Sequence, residues 1–166
     1  MKKNNTINTL PAVFETIYTV SELQLFYKEI DIIVSELYHE NTHLEHSITE
    51  LMSSSKKEKV LSFLKDQETD ITKPINIQET LLKLKTSGDS IPVVSLELAF
   101  EPTEQILKNF SLWFSRNLGK KVLFSISLER QELGGAFVAF NGLYKDFTVS
   151  TKVDEYFNRQ KLEVIS

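Results

Sequence analysis

The three histidines of the chain lie close together, between residues 39 and 46, and two of them fit a zinc-protease pattern. Residues 39–43 read HENTH, which matches H-E-x-x-H. In that pattern two histidines one helical turn apart bind zinc, and the glutamate activates a water molecule. His39 and His43 would be the ligands, Glu40 the base, and His46 a third imidazole. These residues and this spacing would support metal-dependent hydrolysis.

Both histidines of such a site must lie on one unbroken helix, because only then do residues i and i+4 face the same ion. Thr42 and Glu45 instead form a T-x-x-E capping box, which is typical of a helix N-terminus. We therefore expect one helix to end near residue 40 and the next to begin near residue 43, which would separate His39 from His43. A zinc hydrolase using this motif remains a remote alternative, and surface zinc binding by His43 and His46 remains open.

No other catalytic arrangement is found in the sequence. The chain has no cysteine, which excludes disulfides, thiolate nucleophiles and thiolate metal ligands. It has no phosphate-binding loop, no dinucleotide fingerprint and no G-x-S-x-G elbow. We therefore expect a protein that is not an enzyme and that uses no cofactor or metal.

The composition indicates a folded chain that does not bind nucleic acid. Of its 166 residues, 41% are hydrophobic and 25% are charged, which is typical of one or two globular domains. A net charge of -4 argues against nucleic-acid binding, which depends on a basic surface. No apolar run approaches the roughly 20 residues that span a bilayer, and MKKNNTINTL lacks the apolar stretch of a secretion signal. We expect a cytoplasmic chain without direct membrane insertion.

Residues 1–88 are predicted to form a helical bundle. Apolar residues recur at helical spacing in SELQLFYKEIDIIVSELY, residues 21–38, so that one stripe should face a core. Residues 55–67 and 76–88 contain further helical segments. The last is expected to end at Gly88, because glycine readily adopts the left-handed conformation that terminates helices.

Residues 89–166 are predicted to form a small α/β domain with a mixed sheet of about four strands and two helices, which makes the chain α+β. The turn-forming sequence GDSIP, residues 88–92, marks the boundary. VVSLELAF and KVLFSISL alternate like strands around a helical segment, and strands joined in this way are usually parallel. Asn141-Gly142 predicts a tight hairpin, and a last helix is expected from Ser150 or Thr151. The lone Trp113 is expected in the core.

From residue 92 onward the features come in a recognisable order. An alternating strand precedes a proline-started helix that ends in LGKKV, and a second strand, a paired glycine, a hairpin turn and an aspartate follow. This order resembles the delta subunit of F-type ATP synthases, called the oligomycin sensitivity conferral protein in mitochondria. Phe147, Thr148 and Ser150 replace the family's glycine, serine and arginine. The positions that match the family motif are Gly119, Gly134, Gly135, Gly142, Asp146 and Val149.

The resemblance implies a non-catalytic stator subunit that connects the catalytic head of a rotary, proton-translocating ATP synthase to its peripheral stalk. In the family the N-terminal bundle grips the N-terminal segments of the alpha subunits, and the C-terminal part holds the C-terminal end of the stalk's b subunit. Such a protein is peripheral to the inner face of the cell membrane through the complex. The family's bundle is longer than residues 1–88, so a shortened bundle is expected here.

By analogy with the family, partner contacts are expected between the first and last helices of the bundle, near the hairpin and on the final helix. The same side chains are equally typical of an ordinary core. A helical adaptor or regulatory protein that shares only the C-terminal fold is the second hypothesis. The expected partner-binding residues are Phe26, Ile30, Ile33, Leu81, Leu84, Phe137, Phe140 and Tyr156.

Overall fold

A computed structural model of the chain describes residues 10–39, 44–129 and 134–149. Helices precede a four-stranded mixed sheet, so the predicted α+β class is confirmed. A short 3-10 helix, Ala12–Thr16, comes first. The described α-helices are α1 (Val20–Glu36), α2 (Leu44–Leu51), α3 (Ser54–Asp66), α4 (Pro74–Asp89) and α5 (Glu104–Leu118), and the described strands are β1 (Val93–Leu98), β2 (Leu123–Leu128), β3 (Ala136–Phe140) and β4 (Leu143–Asp146).

The chain divides into two compact units. The helical unit contains the residues up to Ile17 and Ser21–Ile91, and the sheet unit contains Tyr18–Val20 and the residues from Pro92 onward. The split between Ile91 and Pro92 lies within GDSIP, residues 88–92, the stretch that marks the boundary in the sequence, where the division was expected after residue 88. The α4 helix instead runs past Gly88, whose carbonyl accepts a hydrogen bond from the N–H of Ile91 at 3.1 Å.

A short segment before α1 belongs to the sheet unit, which the sequence did not predict. Thr19 forms a parallel bridge with Phe124 of β2. The Phe124 N–H donates to the carbonyl of Tyr18 at 2.8 Å, and the Tyr18 side chain is buried in the core of the sheet unit. The β2 edge of the sheet is therefore covered at this point by the chain that leads into α1.

The helical unit is held together by apolar stripes on its helices. On α1 the buried positions follow the spacing of one helical face, as the sequence predicts. The rings of Phe14 and Phe26 meet edge to face, with centroids 6.1 Å apart. Complete burial of one such side chain contributes about 1.5–3 kcal/mol. The largest fully buried side chains of this unit are Phe14, Ile17, Phe26, Ile30, Ile33, Ile48, Leu64, Ile77, Leu81 and Leu84.

Gly88 lies within α4, so the prediction that it ends the helix is wrong. A methyl group at this position would lie 2.8 Å from Cε1 of the Phe14 ring and would also collide with the Tyr27 hydroxyl. The glycine is therefore required by close packing on the helix surface. At the other end, α4 begins at Pro74, whose fixed φ suits the first turn of a helix.

The sheet of the second unit has the strand order β2-β1-β3-β4. β1 pairs with β2 in parallel, as the strand-helix-strand pattern predicts, and with β3 in antiparallel, so that Leu96 lies between Ile126 and Val138. One face of the sheet packs against α5. The core on this face contains Tyr18, Val94, Leu96, Leu98, Leu107, Val122 and Phe124.

The predicted hairpin joins β3 to β4 at Asn141-Gly142, with Phe140 paired to Leu143. Asn141 and Gly142 both have positive φ, 50° and 76°, as a two-residue hairpin turn requires. The last predicted helix, from Ser150 or Thr151, lies outside the described residues. No helix in the described ranges is long and apolar enough to cross a membrane.

Candidate functional site

The H-E-x-x-H segment is not carried by one helix. α1 ends at Glu36, and His39 lies in the turn that follows, with its N–H donating to the Glu36 carbonyl at 3.0 Å. The next described helix is α2, from Leu44. The helix break predicted from the sequence is therefore present, and the unbroken helix that this zinc-protease pattern requires is not formed.

The histidine pair expected to allow surface zinc binding, His43 and His46, falls outside the described side chains. His43 lies outside the described residues, and His46 lies in α2 without a described side chain. Within residues 10–39, 44–129 and 134–149, no group of three or more His, Asp or Glu side chains is placed to hold a metal ion.

In the C-terminal motif, the paired glycine at residues 134 and 135 contacts the stretch that follows Asp146. The N–H of Val149 donates to the carbonyl of Gly134 at 2.9 Å, so the segment after β4 continues alongside the start of β3. The carboxylate of Asp146 accepts a hydrogen bond from the N–H of Thr148 at 2.8 Å, and the Thr148 side chain is buried. The paired glycine and the aspartate stretch therefore form one local structure.

Gly135 is the residue that allows this close approach. A Cβ at this position would lie 2.5 Å from the Phe147 carbonyl oxygen and 2.5 Å from Cα of Thr148. Its φ of 103° is also one that side chains disfavour. Gly119 and Gly142 play a different part, since they occupy the left-handed positions at the end of α5 and in the hairpin turn.

The partner-binding residues expected in the helical unit are core residues. Each is at most 1% exposed, because the apolar stripes of α1 and α4 point into the unit. They hold the helices together and, in this conformation, present no surface to a partner. The buried residues that were expected to contact a partner are Phe26, Ile30, Ile33, Leu81 and Leu84.

The space between α1 and α4, where a groove was expected, is closed by polar contacts. The single proton of the Tyr27 hydroxyl has two acceptors within reach, the Lys85 carbonyl oxygen at 2.7 Å and Asp89 Oδ1 at 2.8 Å. The Lys85 ammonium in turn donates to Asp31 Oδ1 at 2.8 Å. Burial raises the pKa of Tyr27 above its usual value, and the hydrogen bond to Asp89 and its negative charge raise it further.

An apolar groove is open on another side of α1. Leu25 and Ile32, seven residues apart and so on the same face of the helix, are 57% and 44% exposed. The groove has a volume of about 400 Å³, and a salt bridge of 3.1 Å between Lys56 and Glu29 lies at its rim. The spacing of Leu25 and Ile32 could have revealed it in the sequence. The lining residues are Thr16, Ile17, Glu22, Leu25, Lys28, Glu29, Ile32 and Lys56.

The two aromatic residues expected near the hairpin lie on opposite faces of β3. Phe140 packs against the core of the sheet unit. Phe137 is paired with Glu97 and Asp146 on the other face and is half-buried. The hairpin's most exposed aromatic ring is that of Tyr144, which is 79% exposed. Tyr156 lies outside the described residues.

Trp113 lies at the surface, so the prediction that it is a core residue is wrong. It is 58% exposed, and Leu112 beside it is also exposed. The stripe of α5 that packs on the sheet contains Phe110 and Phe114. Because successive residues are rotated by about 100° around a helix, Trp113 falls outside that stripe. Its ring rests edge to face on Phe114, with centroids 5.0 Å apart.

Comparison with known proteins does not identify a family. No protein-family model matches the chain. No curated protein matches it at the level that indicates common descent. Function is therefore inferred from the ordered C-terminal motif and from the surfaces described above.

Proposed function

We propose that the protein is a peripheral-stalk subunit of a rotary ATP synthase that resembles the delta subunit and the oligomycin sensitivity conferral protein. It connects the catalytic head to the stalk and catalyses no reaction. The single observation that supports this most is the ordered motif from β1 to Val149, in which two parts that are distant in sequence form one structure.

The contact between these parts continues the pairing of β3 with β4 and gives the two parts of the motif a shared structural role. Gly135 leaves no space for a side chain against the backbone of Phe147 and Thr148. Asp146 holds the backbone of that same stretch through the N–H of Thr148. Gly135 and Asp146, two of the residues that carry the resemblance, thus act on the same backbone stretch.

The α1 groove, lined by Leu25 and Ile32, is the surface we assign to the catalytic head. Two apolar side chains seven residues apart fit an amphipathic helix that lies along α1 with its own apolar stripe facing them. Lys28 and Glu29 flank the groove with charges of both signs. The N-terminal segment of an alpha subunit is the partner that the family resemblance gives to this unit.

The sheet unit is assigned to the C-terminal end of the stalk's b subunit. Attachment at both units lets the chain join the head to the stalk, so that the head does not turn with the rotor. The work is done by buried interface area rather than by bond chemistry. In this assembly the protein is cytoplasmic and is held at the inner face of the cell membrane by its partners. A net charge of -4 fits a role without nucleic acid.

Titration of the full chain with a peptide tests the assignment of the groove. The peptide is the N-terminal segment of the alpha subunit from the same cell, and binding is measured by calorimetry. We expect saturable binding that Leu25→Glu or Ile32→Glu weakens about tenfold or more, since each places a charge in an apolar contact. Leu82→Glu is the matched control, because Leu82 is similarly exposed on α4.

The outcomes of this titration are distinct. Equal affinity in the Leu25→Glu and Leu82→Glu variants would exclude the groove as the docking surface. Absence of binding by the unmodified chain would contradict the proposed contact with the head and would favour a helical adaptor that shares only the C-terminal fold.

A further inference from the structure

The outer face of α5 combines exposed apolar side chains with cations. Lys108, Leu112 and Arg116 follow one another at intervals of four residues and so lie in one row along the helix. Trp113 lies in the next row. Lys108 and Arg116 are about 12 Å apart along the axis, at 1.5 Å per residue, and Leu112 lies between them. All four side chains are exposed.

The cations of this face are not neutralised within the described part of the chain. Neither Lys108 nor Arg116 forms a salt bridge with a described carboxylate. Glu104, in the first turn of α5, precedes Lys108 by four residues in the same row, so its carboxylate is a neighbour of Lys108 and lies at the far end of the helix from Arg116. With Lys108 and Arg116 against Glu104, the row has a net charge of +1 in a chain whose net charge is -4.

Trp113 is held in place before any partner arrives. Its ring lies against Phe114, which itself packs on Phe124 with centroids 5.7 Å apart. A fixed aromatic ring loses little freedom on binding, and tryptophan and arginine are the residues most often found to dominate binding energy at interfaces.

We propose that this α5 face, made of Lys108, Leu112, Trp113 and Arg116, binds an amphipathic helix whose apolar stripe is flanked by carboxylates. The apolar stripe would cover Leu112 and Trp113, and the carboxylates would pair with Lys108 and Arg116. The inference rests on the proposed function in one respect, because it takes the sheet unit to be the part that binds the stalk. It assigns the α5 face as the docking surface and requires the stalk helix to carry carboxylates beside its apolar stripe.

An anionic membrane surface fits this face less well than an acidic helix does. A helix that binds in the membrane interface inserts a continuous apolar stripe into the lipid. The apolar stripe of α5, which includes Leu107, Phe110 and Phe114, is already packed against the sheet. Leu112, Trp113 and Leu118 are the large apolar side chains of α5 that remain exposed. Leu118 lies roughly 120° or more around the helix axis from the other two, so the three form no continuous stripe for insertion.

The lone tryptophan makes the proposal directly measurable, because Trp113 is the chain's single source of tryptophan emission. The probe is a synthetic helical peptide with leucines at i, i+3, i+4 and i+7 and glutamates on both flanks. A second peptide carries lysine at each glutamate position. We expect the glutamate peptide to shift Trp113 emission to shorter wavelength in a saturable way, and the lysine peptide to leave it unchanged.

Charge reversal provides the decisive variant. Lys108→Glu with Arg116→Glu should weaken binding of the glutamate peptide about tenfold or more and permit binding of the lysine peptide. The control is Lys65→Glu with Lys83→Glu, which changes the net charge equally at exposed positions of the helical unit and should leave both titrations unaltered. Equal weakening by the two double variants would overturn the proposal, because it would show that only net charge matters.

Three further outcomes separate the possible explanations. A blue shift on vesicles of phosphatidylglycerol, with none on the glutamate peptide, would overturn the proposal in favour of a membrane surface. Peptide binding by a chain that recovers no synthase subunits from cells would support the α5 face and contradict the stator function. Recovery of those subunits without peptide binding would overturn the α5 face alone.

Discussion

The hydroxyl of Tyr27 on α1 lies 2.8 Å from the carboxylate of Asp89 in the last turn of α4. The same oxygen lies 2.7 Å from the carbonyl of Lys85. These contacts join the first and last helices of the helical unit beside its apolar core. They also close the space in which a partner groove was expected from the family resemblance.

Removal of this hydroxyl should weaken the helical unit. Tyr27→Phe keeps the ring that packs near Phe26 and loses the bonds to Lys85 and Asp89, so we expect the free energy of unfolding to fall by about 0.5–1.5 kcal/mol. Urea unfolding followed by far-ultraviolet circular dichroism measures the change. Tyr144→Phe, at an exposed ring, is the control and should be neutral. Equal effects of the two substitutions would contradict the assigned contact.

The raised pKa of Tyr27 predicts a loss of stability in alkali. In the folded chain Tyr27 keeps its proton at a pH where the unfolded chain, with an ordinary tyrosine pKa of about 10, releases it. The contribution to stability is therefore complete below pH of about 10 and falls as the pH rises above that value. The free energy of unfolding should drop less steeply in Tyr27→Phe than in the unmodified chain. Parallel slopes would show that Tyr27 is not the cause.

Gly88→Ala gives a test in which helix propensity and packing predict opposite signs. Alanine is favoured over glycine within a helix by about 1 kcal/mol. The added methyl would nevertheless collide with the ring of Phe14 and the hydroxyl of Tyr27, and such overpacking costs about 1–3 kcal/mol. We expect a net loss of stability in denaturant titration, whereas Thr86→Ala, at an exposed position of α4, should not destabilise. A more stable Gly88→Ala variant would refute the close packing.

Gly135→Ala tests whether the C-terminal motif is structural. The methyl group would meet the backbone of Phe147 and Thr148 at 2.5 Å, and backbone atoms yield less readily than side chains. We expect a loss of about 3 kcal/mol in unfolding followed by Trp113 emission, which reports on the sheet unit. Gly142→Asn is the control, because asparagine tolerates positive φ and no atom lies within 4 Å of the position. Similar losses in both variants would reject the packing role.

Local patterns in the sequence were sufficient for much of the sheet unit. The alternation through Val94 and Leu96 located β1, and the Asn141-Gly142 pair located the hairpin, because each signal depends on neighbouring residues alone. The end of α1 at Glu36 agrees with the break expected from the capping signal at Thr42 and Glu45, whose side chains lie outside the described part of the chain. Such features depend on the identities of neighbouring residues more than on tertiary packing.

The features that were missed depend on contacts between distant residues. Thr19 joins β2 through a single bridge, which leaves no periodic signal in the sequence. Gly88 resembles a helix terminator until Phe14 and Tyr27 are placed beside it. Trp113 fits a helical pattern. Whether its side chain is buried depends on which face of α5 packs on the sheet, and the pattern alone does not specify that face. The partner contacts expected on α1 and α4 lie in the core for the same reason.

The central claim is tested most directly by purification from native membranes. The full chain, expressed with an affinity tag in its own cell, is captured after mild detergent extraction, and the recovered proteins are quantified by mass spectrometry. The account predicts recovery of the alpha subunit of the catalytic head and the b subunit of the stalk in a fixed ratio to the tagged chain. Capture of the chain without either subunit would contradict the proposed function.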